Sequence, residues 1–215
     1  MKNGITELVF ILDKSGSMSG METDTVGGFN AMIEKQKKVE GKVLVSTVLF
    51  SNFSEVLHDR KNLEDIEPLT DKDYQVEGCT ALLDAIGGAV NHISNIHKYA
   101  RPEDVPEQTM FVITTDGMEN ASRTYSSKKV KEMIQCQEEK FGWKFLFLAS
   151  NIDAVETAES IGVKRDCAVN YDVRKDTKIM YGVLSDVVCD YRRASKMSKQ
   201  CASNFEEEMK KRKGK

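Results

Sequence analysis

The 215-residue chain is 40% hydrophobic and 30% charged, the composition of a soluble globular protein with a sizeable core. Its 31 basic and 34 acidic residues leave a net charge of -3, so no long-range field draws it to nucleic acid or to an anionic membrane. Any electrostatic function is therefore local.

The N-terminal stretch MKNGITELVFILDKS has one early lysine, a short apolar run from Leu8 to Leu12 and no small-residue cleavage pattern, which argues against a signal peptide. That run predicts the first strand. A helix over Asp24 to Val39 follows, then a strand over Val43 to Phe50 and a hairpin-like strand around Val56 to Asp59 that adds an antiparallel edge. Ala81 to Lys98 reads as a helix with Leu82, Leu83, Ile86, Val90, Ile93 and His97 on one stripe. Next come a strand over Thr109 to Thr115, a helix over Ser127 to Lys140, a strand over Lys144 to Ala149, a helix over Ala154 to Ile161 and a strand over Ala168 to Tyr171. Helix resumes from about Asp176. The second long apolar run, Phe145 to Ala149, falls far short of the roughly 20 residues that cross a bilayer.

This alternation predicts an α/β fold: a doubly wound, mostly parallel, Rossmann-like sheet with one antiparallel edge strand and helices on both faces. With three prolines, no linker and no repeat, one domain is expected over 1–190, followed by a helical extension over 191–215. The end, EEEMKKRKGK, sets acids before cations, as suits a helix dipole, and reads as a frayed, solvated terminus rather than a nucleic-acid or membrane anchor. Cys79, Cys136, Cys167, Cys189 and Cys201 are odd in number and never C-x-x-C. Reduced thiols and a cytoplasmic location follow as expectations.

Three oxygen-rich loops stand at strand ends, where open α/β sheets bind ligands. Asp13-Lys14-Ser15-Gly16-Ser17 leaves the first strand, Gly78-Cys79-Thr80 precedes the helix from Ala81, and Thr115-Asp116-Gly117 ends the strand from Thr109. Two carboxylates converging on one point repel unless a cation compensates, and two of them neutralise a divalent ion. Hydroxyls of Ser15, Ser17 and Thr80 would add hard oxygen ligands, which suits Mg²⁺ first, with Mn²⁺ or Ca²⁺ as alternatives. Alternate residues of D-x-S-x-S project the same way, and Gly16 lets the loop bend. Taken singly, each loop is more often turn and helix-cap chemistry.

In order and spacing, DKSGS after a strand, GCT before an amphipathic helix and TTDG at a strand end resemble the metal-ion-dependent adhesion site of von Willebrand factor A-type domains. The resemblance runs from about Ile5 to Tyr171 and keeps all five side chains of the pattern, Asp13, Ser15, Ser17, Thr80 and Asp116. It implies a protein-interaction module of stand-alone intracellular, bacterial type. Its metal would bind through the three hydroxyls, with the aspartates direct or through water, and leave one position open for an Asp or Glu of a partner protein. The resemblance also implies that the final helix can be coupled to the site. Met18, Glu119, Asn120 and Arg123 are candidates for a partner-binding rim.

The competing readings are an enzyme and a scaffold that does not need its metal. A Mg²⁺-dependent phosphohydrolase of haloacid dehalogenase type would carry D-x-D, but Ser15 stands at the second carboxylate and a hydroxyl supplies no general acid near neutral pH. No phosphate-binding glycine loop is present, and the pairs Gly27-Gly28 and Gly87-Gly88 fall within predicted helices, where close packing explains them. His92 and His97 lie about 140° apart around a helix, and no histidine is placed to activate Cys79. A non-catalytic role is the expectation.

Overall fold

The computed structural model describes residues 4–150, 153–194 and 201–214. Six strands form one sheet: β1 (Thr6–Asp13), β2 (Val43–Phe50), β3 (Ser54–Asn62), β4 (Gln108–Thr115), β5 (Lys144–Ala149) and β6 (Ala168–Asn170), ordered β3-β2-β1-β4-β5-β6. All pairings are parallel except β2 with the edge strand β3. The helices are α1 (Glu22–Lys37), α2 (Leu82–Tyr99), α3 (Ser127–Phe141), α4 (Ala154–Ser160), α5 (Val173–Ala194) and α6 (Cys201–Lys213).

The unbroken apolar run of β1 follows from its central position, where both faces are covered. Leu8, Phe10 and Leu12 pack in one layer with α1, α5 and α6, while Val9 and Ile11 pack in the other with α2, α3 and α4. β1 is longer than the run because Thr6, Glu7 and Asp13 pair in register despite being polar. β3 is also longer than its apolar centre, and a register irregularity in the β2–β3 ladder accompanies a left-handed backbone at Arg60 (φ 48°).

That bend turns Arg60 toward the wholly buried Glu7, whose Oε1 accepts from Arg60 Nε at 2.5 Å. The other oxygen, Oε2, bonds Nε2 of His97, which also packs edge-on to Trp143. His97 thus lies in a packed interface, as its place on the stripe suggests.

The C-terminal segment departs from a solvated end. Residues 195–200, where the expected charged stretch begins, lie outside the described residues. Beyond them α6 buries Cys201, Ala202, Phe205 and Met209 in the layer that holds α5, and α5 itself runs past the expected boundary at 190. Arg212 pairs with Asp186, and Lys213 with the buried Asp176. The i, i+4, i+8 spacing of Cys201, Phe205 and Met209 supplies an apolar edge that outweighs the surrounding charge. Among the described residues no helix is long and apolar enough to cross a membrane.

The glycine pairs divide. A Cβ on Gly28 would lie 2.7 Å from Cγ of Tyr181 and one on Gly87 would lie 2.8 Å from Cδ2 of Tyr125, whereas Gly27 and Gly88 face open space. Urea unfolding midpoints should separate them. Gly27→Ala and Gly88→Ala are expected to stabilise by about 0.5–1 kcal/mol through helix propensity. Gly28→Ala and Gly87→Ala are expected to destabilise by about 1–3 kcal/mol through overpacking. Equal effects within a pair would contradict this packing.

Candidate metal centre

From β1 the chain crosses to β2 on one side, and β4 later pairs with β1 on the other. The loops leaving β1 and β4 therefore part at their carboxyl ends and open a crevice. Asp13 closes β1 and Asp116 follows the last residue of β4, so strand pairing alone brings the two carboxylates together.

The loop after Asp13 is pinned residue by residue. Lys14 N donates to Phe50 O at 2.7 Å, its carbonyl accepts from Glu77 N at 2.9 Å, and its ammonium pairs with Glu55 at 2.9 Å. Gly16 N donates to Gly78 O at 3.0 Å, which ties the first loop to the one carrying Thr80. Lys14 is thereby held away from Asp13, Ser15 and Ser17, which cluster: Ser15 Oγ and Ser17 Oγ lie 3.1 Å apart, and Ser17 Oγ donates to Asp116 Oδ1.

Both oxygens of Asp13 already accept hydrogen bonds, Oδ1 from Ser15 N at 2.7 Å and Oδ2 from Thr115 Oγ1 at 2.6 Å. Asp116 Oδ2 is different. It is buried and has no hydrogen-bond partner among the described residues. Burial raises the pKa of both acids above the usual carboxylate value, and the Asp13 charge raises that of Asp116 further. The hydrogen bonds from Ser15 and Thr115 oppose the rise at Asp13, and that from Ser17 opposes it at Asp116.

The hydroxyls are not spent on helix ends. Ser15 precedes a 3₁₀ turn (Gly16–Met18) but its side chain makes no capping bond, and the N-cap position of α2 belongs to Ala81, one residue past Thr80. The loop after β4 supplies the caps instead. Leu83 N donates to the Glu119 carboxylate at 2.8 Å, Asp84 N to Ser122 Oγ at 3.0 Å, and Thr80 N to Asn120 Oδ1 at 2.9 Å.

These bonds revise the rim. Met18 is a core residue, 4% exposed, and forms no part of a binding edge. A turn residue beside a polar loop faces either way, and here the 3₁₀ turn points Met18 inward. Glu119 is engaged by Leu83 N, Ala121 N, Ser122 N and Ser122 Oγ, which makes it a cap. Asn120 braces Thr80, its backbone N–H donating to Thr80 O at 3.1 Å as well. Arg123 keeps an exposed side chain while its backbone donates to Asp84. Thr115 and Tyr74, whose hydroxyl donates to Asp13 O, were not singled out from the sequence. Tyr74 carries no motif signal, whereas Thr115 lies inside TTDG, in the oxygen-rich loop itself.

The residues present fit a hard divalent cation. A buried carboxylate oxygen lacks a donor, and a Cβ at Gly117 would lie 2.7 Å from Thr80 Oγ1 and 3.2 Å from Ser17 Oγ, so only glycine leaves those hydroxyls their space. The donor set is oxygen throughout. Among the described residues no group of three or more His, Cys, Asp or Glu side chains gathers, so this cluster depends on its hydroxyls.

No family model and no curated protein matches the chain. Solved structures do. The vWF domain of the type V pili tip protein Mfa5 from Porphyromonas gingivalis superposes with a TM-score of 0.63 at 9% identity, over 90% of this chain and 98% of that one. The fold is that of von Willebrand factor A-type domains. Proximal thread matrix protein 1 from the mussel byssus gives 0.60 at 16% identity over 86% of this chain, which spans 46% of the mussel protein's length. Manganese-loaded TRAP protein from Plasmodium vivax gives 0.55 at 14% identity, over 84% of this chain and 73% of that one.

The raised acids set a pH signature for the metal-free protein. A group held above its unfolded pKa keeps its proton better when folded, so its cost is absent below the ordinary aspartate range and grows as pH rises through the raised value. In chelator, Asp116→Asn is therefore expected to melt above wild type at pH 7, with the gap closing on acidification toward pH 4. A gap that is constant with pH would show that carboxylate charge is not its source.

Proposed function

We propose that this chain is a non-catalytic protein-binding module that holds a divalent cation, Mg²⁺ by preference, and through it takes an acidic side chain of a partner protein. The observation that carries the proposal is Asp116 Oδ2, a buried carboxylate oxygen without a donor beside the hydroxyls of Ser15 and Ser17. Thr80 would complete the set with Asp13. Because both Asp13 oxygens are committed to Ser15 and Thr115, Asp116 is the aspartate free to bind the ion directly, while Asp13 orients the loop and contributes charge.

The ion would supply residual positive charge at an open coordination position, which suits a carboxylate ligand. The chain's own residues offer little for catalysis at that point. His58 bonds Thr47, His92 pairs with Asp59 and His97 with Glu7, and the hydroxyl of Ser15 supplies no general acid. The manganese reported for the TRAP protein, on the same fold, supports the choice of a hard divalent ion. A cytoplasmic location is proposed from five cysteines in an odd, scattered arrangement, none of them bridged.

Calorimetric titration of Mn²⁺ and Mg²⁺ into apo protein tests the reading. Wild type is expected to bind one ion and Asp116→Ala none. At a hundredfold excess over Kd the ion should stabilise wild type by about 2.7 kcal/mol, seen in urea unfolding, and leave the variant unchanged. Absence of binding by wild type would favour a metal-independent scaffold. Metal-dependent hydrolysis of phosphate esters, lost in Asp116→Ala, would overturn the non-catalytic assignment.

A further inference from the structure

Few large apolar side chains are strongly exposed among the described residues, and two of them, Phe53 at 82% and Met118 at 74%, sit at the carboxyl end of the sheet. Phe53 lies on the turn after β2 and Met118 on the loop after β4. Those strands flank β1 on either side, so the two positions stand on opposite sides of the strand that carries Asp13.

Both positions are braced. Ser51 N donates to Phe53 O at 3.0 Å and Ala81 N to Ser51 O at 2.8 Å, while Asn52 Oδ1 accepts from Cys79 N at 2.6 Å. Phe53 therefore follows a residue bonded to the neighbour of Thr80. Met118 follows Gly117, which fits closely against the hydroxyls of Thr80 and Ser17. Asn52 and Gly117 hold the loops, whereas Phe53 and Met118 belong to neither buried layer. Lys14 is already paired with Glu55 and so brings no free charge to this end.

Resting on the metal-dependent reading above, we infer that the partner segment presents a carboxylate flanked by large apolar side chains, with Phe53 and Met118 gripping those flanks. The ion favours the acid. The two apolar side chains select its neighbours, since burying them against polar flanks would gain nothing.

Selection of displayed short peptides in Mn²⁺, from one library with a fixed glutamate and a twin library with glutamine in its place, tests this inference. Wild type is expected to enrich Phe, Leu, Ile, Met or Trp beside the glutamate. Affinity for the enriched peptides should fall roughly tenfold for Phe53→Ser and again for Met118→Ser. The double variant should retain the melting temperature, Mn²⁺ binding and glutamate requirement of wild type while losing the flank preference. Polar flanks in wild type, or apolar flanks still selected by the double variant, would overturn the inference and leave the metal–carboxylate reading intact. Equal enrichment from the glutamine library, or none from either, would overturn both.

Discussion

Asp13 and Asp116 are like charges enclosed at the ends of adjacent strands, and the surrounding structure is arranged around keeping them there. Each would be more comfortable in water, so their burial requires donors, a cation or both. The chain supplies donors unequally. Ser15 N and Thr115 Oγ1 satisfy Asp13, Ser17 satisfies one oxygen of Asp116, and the remaining oxygen has no partner among the described residues. The parallel pairing of β1 with β4 makes this proximity unavoidable, because Leu12 stands beside Thr114 and the two chains then diverge.

That constraint explains why the loop after β4 is so heavily bonded. A threonine one residue before the N-cap position could cap the helix with its own hydroxyl. Here Glu119 and Ser122 reach across to the first turn of α2, and Asn120 grips Thr80 from both sides of its backbone, so the Thr80 hydroxyl is spared capping duty. The same loop carries Asp116 and Gly117. The oxygen-bearing side chains that follow separate strands are thus fastened into one body, as the proposed cation site would need.

Much of this could be read from the chain. Val43–Phe50 and Lys144–Ala149 are legible to the residue because apolar runs of that length, bounded by polar turns, have few other solutions. The D-x-S-x-S spacing foretold the cluster of Asp13, Ser15 and Ser17, whereas orientation was not legible. Met18 looks like a loop residue until the 3₁₀ turn buries it, and Glu119 looks solvated until α2 is seen to begin beside it. Phe53 lies in a hairpin turn far from any motif, and only sheet order places it by the site. In α6 the density of charge hid the spacing of Phe205 and Met209, although net polarity says little about one helix face.

The other end of β1 shows how this fold treats a buried carboxylate that serves structure alone. Glu7 is fully buried, yet Arg60 and His97 occupy its two oxygens, and the edge strand departs from regular geometry to deliver the guanidinium. The fold therefore has the means to complete the partners of an enclosed acid, and does so within the same strand. Against that internal standard the unpartnered oxygen of Asp116 is a local exception, set among hydroxyls that serve no cap, in the crevice where sheets of this topology receive ligands. The contrast with Glu7 supports the proposed cation, rather than a further residue, as the complement of Asp116.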